Sequence, residues 1–263
     1  MKILAIIGTP TRQAGFTTQT VDALARSLRA RGQVEIESIH LEDVPLARCQ
    51  GFLSCVKHGE HKCPVGPQMA PILAAMRAAD GVIFASPVHC FNVSTLMKNF
   101  IDLLVYQMHR PEFFGKKALV VTSAAGAGHR VVLKYLRKTV AIWGFEVVGQ
   151  LGTHAGLFGA EKYQARLQQA TDKVADRFLH ALARTRLPEP GIAELINFRV
   201  WRSVVKRTAE ASPYDWAHWQ KAGWLEQDYY YPAKPGFLSN ALAGTVEKII
   251  ERTIRTAGVS PLT

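Results

Sequence analysis

The chain has 263 residues, 48% of them hydrophobic and 20% charged, proportions that exclude a disordered chain, a collagen-like chain and a coiled-coil rod. Thirty-two basic residues against 21 acidic ones leave a net charge of +11, which attracts nucleotide phosphates, nucleic acid or an anionic membrane face without choosing among them. No apolar run approaches the roughly 18 residues that a membrane span needs, and four cysteines, three of them at Cys49, Cys55 and Cys63, do not make an extracellular disulfide framework.

The first predicted element is a strand over Ile3 to Ile7, a continuous apolar run that stops at Gly8-Thr9-Pro10. It is too short for a signal-peptide core, so a buried strand of a cytoplasmic protein is expected. Helical periodicity follows with Val21, Leu24, Ala25 and Leu28, and a less regular strand is predicted from Val34 to Ile39. Beyond the cysteine segment come a helix with Ile72, Leu73 and Met76, a strand over 82–85, and a helix with Leu96, Met97, Phe100, Ile101, Leu104 and Val105 on its apolar face. A strand over 118–121, a helix carrying Val132, Tyr135, Leu136, Val140 and Trp143, and a strand from Glu146 to Leu151 continue the alternation. A long helix with Tyr163, Leu167, Val174, Phe178 and Leu182 on one face closes it.

Short, wholly apolar strands separated by helices predict an α/β fold: an open, doubly wound, five-stranded parallel sheet. Ligands of such sheets bind outside the carboxyl ends of the strands. Leu187-Pro188-Glu189-Pro190-Gly191 reads as a linker. It divides a domain over 1–186 from a mainly helical, aromatic-rich extension over 187–263, which ends in a helix from about Leu238 to Arg255.

Three loops leave the carboxyl ends of strands. The first, from Gly8 to Thr18, offers hydroxyls at Thr9, Thr11, Thr17 and Thr18, the guanidinium of Arg12 and a helix N-terminus, a set suited to a phosphate; Thr17 or Thr18 as an ordinary N-cap is the alternative. It is neither a Walker A loop nor a Gly-x-Gly-x-x-Gly fingerprint, so a monophosphate fits better than a pyrophosphate. The second, Ser86-Pro87-Val88-His89-Cys90-Phe91-Asn92-Val93-Ser94, and the third, Thr122 to His129, face the same crevice. One phosphate site beside two ring-contacting loops describes a bound flavin mononucleotide (FMN).

The sequence Gly-Thr-Pro…Gly-Phe-Thr-Thr, followed by Ser-Pro-Val-His-Cys-Phe-Asn-Val-Ser and Lys98-Asn-Phe-Ile-Asp102, resembles the NAD(P)H-dependent FMN reductases of the flavodoxin superfamily, and most of all their iron–sulfur flavoprotein branch. The resemblance covers about residues 1–155. It implies a flavodoxin-like fold and an FMN-dependent oxidoreductase that takes reducing equivalents from NADPH or NADH. The electrons would pass to a small acceptor such as a quinone, nitro or azo compound, and a homodimer or homotetramer is implied. Carried over residue by residue, Thr9, Thr11, Arg12, the backbone of Phe16, Thr17 and Thr18 hold the phosphate. Pro87, Val88, His89, Cys90, Phe91 and Asn92 line the ring, and Ser123, Ala124, Ala125, Gly126 and Gly128 supply its other edge. His89 stands where the family has tyrosine, and Phe16 where a small polar residue is common. His129 is either a proton donor or simply the first residue of a helix, and Lys98 with Asp102 reads as an i, i+4 helix pair.

In iron–sulfur flavoproteins a compact four-cysteine loop ligates a [4Fe–4S] cluster. Here Cys49, Cys55 and Cys63 match three of those places, and Phe52 takes the other. Cys90 as a fourth ligand, or zinc held with His58 or His61, are alternatives to the expected metal-free loop. The extension carries Trp201, Trp216, Trp219 and Trp224 with Tyr214, Tyr229, Tyr230 and Tyr231; it is expected to form an arm on a second subunit, with a peripheral anionic membrane surface as the alternative. Arg199, Arg202, Lys206 and Arg207 read as residues of a solvated helix rather than a nucleic-acid site. A non-enzymatic electron carrier is the competing function, and +11 argues against it because such carriers present acidic surfaces.

Overall fold

In the computed structural model, which describes residues 1–12, 15–157 and 159–257, the chain divides into two compact units. One comprises Met1–Gln50 and Val65–Arg186, the other Gly51–Pro64 and Leu187–Thr263. Residues 51–64, which include Cys55 and Cys63, thus pack with the C-terminal unit, although they interrupt the first one in sequence.

The first unit is a five-stranded sheet: β1 (Lys2–Ile7), β2 (Glu35–His40), β3 (Gly81–Pro87), β4 (Lys117–Ala124) and β5 (Glu146–His154). The strands lie in the order β2-β1-β3-β4-β5 with every pairing parallel, the doubly wound order of flavodoxin. Its helices are α1 (Phe16–Arg29), α3 (Gly66–Ala78), α4 (Thr95–Leu103), α5 (His129–Ile142) and α6 (Glu161–Leu182), while the four-residue α2 (Ser54–Lys57) belongs to the other unit.

The apolar runs are buried on both faces because helices cover both. Ile3, Ala5, Ile7, Ile83, Ala85, Leu119 and Val121 pack with Val21, Leu24 and Leu28 of α1 and Ala175 and Phe178 of α6. The alternate residues turn to the other face, as period-2 geometry requires. There Phe84 meets Trp143 and Phe145 edge-on, at ring distances of 5.8 and 5.5 Å, and Phe113 stacks on Phe145 at 4.5 Å. β2 is less buried, as befits an edge strand, and its ladder begins at Glu35 rather than Val34. β5 extends three residues beyond the predicted Leu151.

The second unit contains α7 (Ile192–Arg207), α8 (Pro213–Lys221) and α9 (Phe237–Ala257). Its aromatic residues make their own core: Phe198 stacks on Trp219 at 5.6 Å, Trp219 meets Trp224 at 5.4 Å, and Trp224 meets Tyr230 at 4.8 Å. Trp219, Trp224 and Tyr229 are buried there rather than spread on an outer face. The solvated-helix reading of Arg199 and Arg202 is also corrected, since both are buried. Arg202 forks onto Glu247 at 2.7 and 2.8 Å, and Arg199 donates to Asp228 at 2.7 Å and to Asn240 at 2.8 Å. Burying guanidinium groups requires such partners, and Glu247 supplies them from α9. Among the described residues no helix is long and apolar enough to cross a membrane.

His109, beyond the end of α4, gives the first unit a pH dependence. Burial, reinforced by the neighbouring Arg110 guanidinium, pushes its imidazole down from 6.5 to about 4. Between those values the unfolded chain binds a proton that the folded chain refuses, so stability rises with pH across that window. Urea unfolding should be weaker by about 2 kcal/mol at about pH 5 than at about pH 7 from this group alone, and His109→Gln should remove that component.

Candidate functional site

The loop after β1 turns tightly before α1. Thr9 is buried, and its Oγ1 lies 3.0 Å from Thr11 Oγ1 and accepts from the Thr11 N–H at 3.4 Å. Arg12 has φ 44°, and its carbonyl accepts from the Thr18 hydroxyl at 2.6 Å and the Gly15 N–H at 3.2 Å. A Cβ on Gly15 would stand 2.2 Å from Thr11 Oγ1, so a side chain here would displace the Thr11 hydroxyl. Gly15 is also the N-cap of α1, where it offers no side-chain acceptor, and the first turn holds no acidic residue. The leading N–H groups of a 14-residue helix therefore face the threonine loop without an internal anion, the arrangement that attracts one.

Three of the predicted phosphate ligands, Arg12, Thr17 and Thr18, have other partners. The Arg12 guanidinium lies 2.5 Å from Asp43, a solvent-exposed pair that contributes little, and the Thr18 hydroxyl braces the loop from inside. Thr17 is buried and hydrogen bonds Ser123 Oγ at 2.7 Å, which ties the threonine loop to the end of β4. Thr20 makes a similar tie to Thr153 of β5 at 3.0 Å. The backbone of Phe16 opens α1, and its side chain is exposed.

The loop after β3 is anchored by Ser94. Its hydroxyl donates to the Gly8 carbonyl and accepts from the Met97 N–H at 3.1 Å as the N-cap of α4, while its own N–H donates to Ser86 Oγ at 2.9 Å. His89 and Asn92 exchange backbone hydrogen bonds of 2.8 and 2.9 Å around Cys90 (φ 48°) and Phe91 (φ 62°), a tight turn with both central residues left-handed. Pro87 and Val88 are half-buried, and the four turn residues are exposed. Within the following helix, Lys98 and Asp102 form the expected ion pair.

The loop after β4 meets this turn. Val88 N–H donates to the Ser123 carbonyl at 2.8 Å, and a Cβ on Gly128, itself at φ 99°, would come within 2.8 Å of Val88 Cγ1 and 3.2 Å of Phe91 Cδ1. Ala124 is buried, Ala125 and Gly126 are exposed, and open space surrounds the place of a Cβ on Gly126. The loops thus converge through Thr17, Ser123, Val88, Phe91 and Gly128. His129 opens α5 with its Nδ1 buried and unpartnered. Burial, then the nearby His154 and Arg130, holds its imidazole below the ordinary histidine range, which leaves the ring neutral at pH 7. The His154 ring stands 5.0 Å away. Thr153 and His154 lie beyond Leu151, where the sequence predicts the strand to end; no motif marks them, and only the continuation of the β5 ladder places them at this edge.

Of the cysteines, Cys49 and Cys63 are half-buried, Cys55 is buried and Cys90 is exposed. Phe52 is 64% exposed and has no atom able to ligate iron. Among the described residues no three His, Cys, Asp or Glu side chains group so as to hold a metal ion.

Residues 1–156 match the profile of the NADPH-dependent FMN reductase family. An iron–sulfur flavoprotein of Archaeoglobus fulgidus is 28% identical over 229 residues, which cover 86% of this chain and 100% of that protein. An iron–sulfur flavoprotein of Clostridioides difficile is 27% identical over 211 residues, covering 80% and 91%. An FMN-dependent NADH-azoreductase from Bacillus anthracis, solved in complex with FMN, superposes with a TM-score of 0.54 at 18% identity over 67% of this chain and 99% of that one; at that identity the likeness is one of fold.

Ser94→Ala tests the anchor of the β3 loop. It removes the α4 cap and strands the buried Gly8 carbonyl, so a loss of about 2 kcal/mol is expected in urea unfolding. A loss below about 0.5 kcal/mol would mean that the Ser94 bonds do not hold the loop.

Proposed function

The chain belongs to the NADPH-dependent FMN reductase family, and on that premise we propose that it passes reducing equivalents from NADPH or NADH, through one bound FMN, to a small acceptor such as a quinone, nitro or azo compound. The observation that carries this reading is the 2.7 Å hydrogen bond between Thr17 and Ser123, which draws the threonine loop and the glycine loop together at one sheet edge. The threonine loop suits a single phosphate ester: α1 starts with no side-chain cap and no acidic residue, and a Cβ on Gly15 would crowd the Thr11 hydroxyl. The N–H groups of the first turn of α1, with Thr9 and Thr11, would hold the phosphate. Val88, Phe91 and the loop from Ser123 to Gly128 would line the ring.

Bound FMN supplies hydride transfer between a nicotinamide and an acceptor. The protein's part is to bind and orient. Gly126 lets backbone N–H groups approach the ring edge where negative charge develops. His129, neutral at pH 7, adds a hydrogen-bonding group there without a fixed charge. Val88, Phe91 and the glycines present no carboxylate, which suits an uncharged, planar acceptor. The net charge of +11 favours NADPH, with its additional phosphate, over NADH as the donor.

The relatives are named iron–sulfur flavoproteins, but the donor set here does not fit a four-cysteine cluster, because Phe52 contributes no ligand. A metal-free protein is therefore proposed, and no step is routed through a cluster.

Purified protein should carry or take up FMN, and NADPH or NADH should bleach the flavin band anaerobically. Adding a quinone should restore the band, with ping-pong kinetics in turnover. A flavin reduced by dithionite but by neither nicotinamide would overturn the enzyme reading in favour of an electron carrier. Metal analysis of anaerobically prepared protein should find no stoichiometric iron or labile sulfide; about four irons per chain would contradict the metal-free reading.

A further inference from the structure

We propose that Phe91 selects the acceptor, its ring forming the flat apolar wall against which a planar aromatic substrate stacks. The proposal rests on the reading of the site as an FMN oxidoreductase and adds the residue that sorts acceptors within it.

Three observations converge on this side chain. The turn from His89 to Asn92 needs two left-handed central residues, positions that glycine and asparagine occupy at little cost and that a bulky side chain disfavours. Here they are Cys90 and Phe91, at φ 48° and 62°. A phenylalanine is therefore present despite the turn, not for its sake, and strain of this kind is concentrated at functional positions.

The ring is also left uncovered. Phe91 is 64% exposed, whereas Val93 two residues on is buried and Val88 is half-buried. A lone exposed apolar side chain is ordinary on a protein surface. This one stands at the point where two loops meet: its Cδ1 is 3.2 Å from the place of a Cβ on Gly128, and open space surrounds Gly126 in the same loop. Glycine at 128 lets the ring lie against the β4 loop, whose neighbouring Gly126 is uncrowded. Stacking of two aromatic rings accounts for about a tenfold difference in binding.

The test compares wild-type holoprotein with Phe91→Ala, Phe91→Leu and Phe91→Trp. Two acceptors are used: a naphthoquinone, which is planar, and ferricyanide, which has no stacking face. The ratio of kcat/KM for naphthoquinone over ferricyanide should fall about tenfold in Phe91→Ala, fall similarly in Phe91→Leu, which keeps apolarity but loses the flat face, and be retained in Phe91→Trp. Equilibrium dialysis of naphthalene-2-sulfonate, which is planar and not reduced, against oxidised holoprotein should show the same order of affinities. An unchanged ratio in Phe91→Ala, or a ratio retained in Phe91→Leu, would overturn the proposal. So would an unchanged ratio accompanied by loss of a dimer in sedimentation, which would assign Phe91 to a subunit contact. If no nicotinamide reduces the wild-type flavin, the functional reading fails, and the dialysis series still decides whether Phe91 is a stacking wall.

Discussion

Where β1 lies between β2 and β3, the chain must leave the sheet in opposite directions, and the backbone after β1 is drawn away from the backbone after β3. Ser94 spans that division. Its hydroxyl reaches the Gly8 carbonyl, its N–H reaches Ser86, and the same oxygen caps α4. A Cβ on Gly8 would stand 2.8 Å from Met97 Cβ, so the start of α4 closes directly on the first loop. With that joint fixed, the threonine loop is held beside Ser123 and the β3 turn beside Gly128. The crevice is a consequence of topology, and its walls are held by a few buried hydroxyls.

Those hydroxyls divide into two kinds of work. Thr17, Thr18 and Thr20 spend their hydrogen bonds on Ser123, the Arg12 carbonyl and Thr153, and so brace the loop. Thr9 and Thr11 bond to each other at 3.0 Å beside the start of α1, and under the proposed reading they would turn to a bound phosphate. Preorganisation of this sort lowers the ordering cost of binding. The loops after β3 and β4 have a different character: glycine backbone, a valine and a phenylalanine, with His129 at the start of α5, its imidazole held below the ordinary histidine range by burial.

Much of the sheet was legible in the sequence because strands buried on both faces must be apolar throughout, as 3–7, 82–85 and 118–121 are. The edge strand β2 was off by one residue, since Glu35-Ile36-Glu37-Ser38-Ile39-His40 alternates weakly and its start is set by pairing with Lys2. The three loops were legible from their glycines and hydroxyls, but the partition of hydroxyls between bracing and facing the crevice was not, because Thr17 and Ser123 are 106 residues apart. The C-terminal unit was least legible. Arg199 and Arg202 look solvated until Glu247, more than forty residues on, is known to lie against them. Likewise, nothing local in the cysteine segment announces that Gly59 packs against Tyr214, where a Cβ would come within 2.7 Å of the ring.

The central claim is that the threonine loop and the N-terminus of α1 bind a phosphate monoester. Calorimetric titration of the apoprotein with FMN and with riboflavin isolates that group, since the two ligands share every ring contact and differ only in the phosphate. FMN is expected to bind about 100-fold tighter or more, the effect of two or more charge-assisted hydrogen bonds. Equal affinities for the two would contradict the phosphate cradle, whatever the ring loops do.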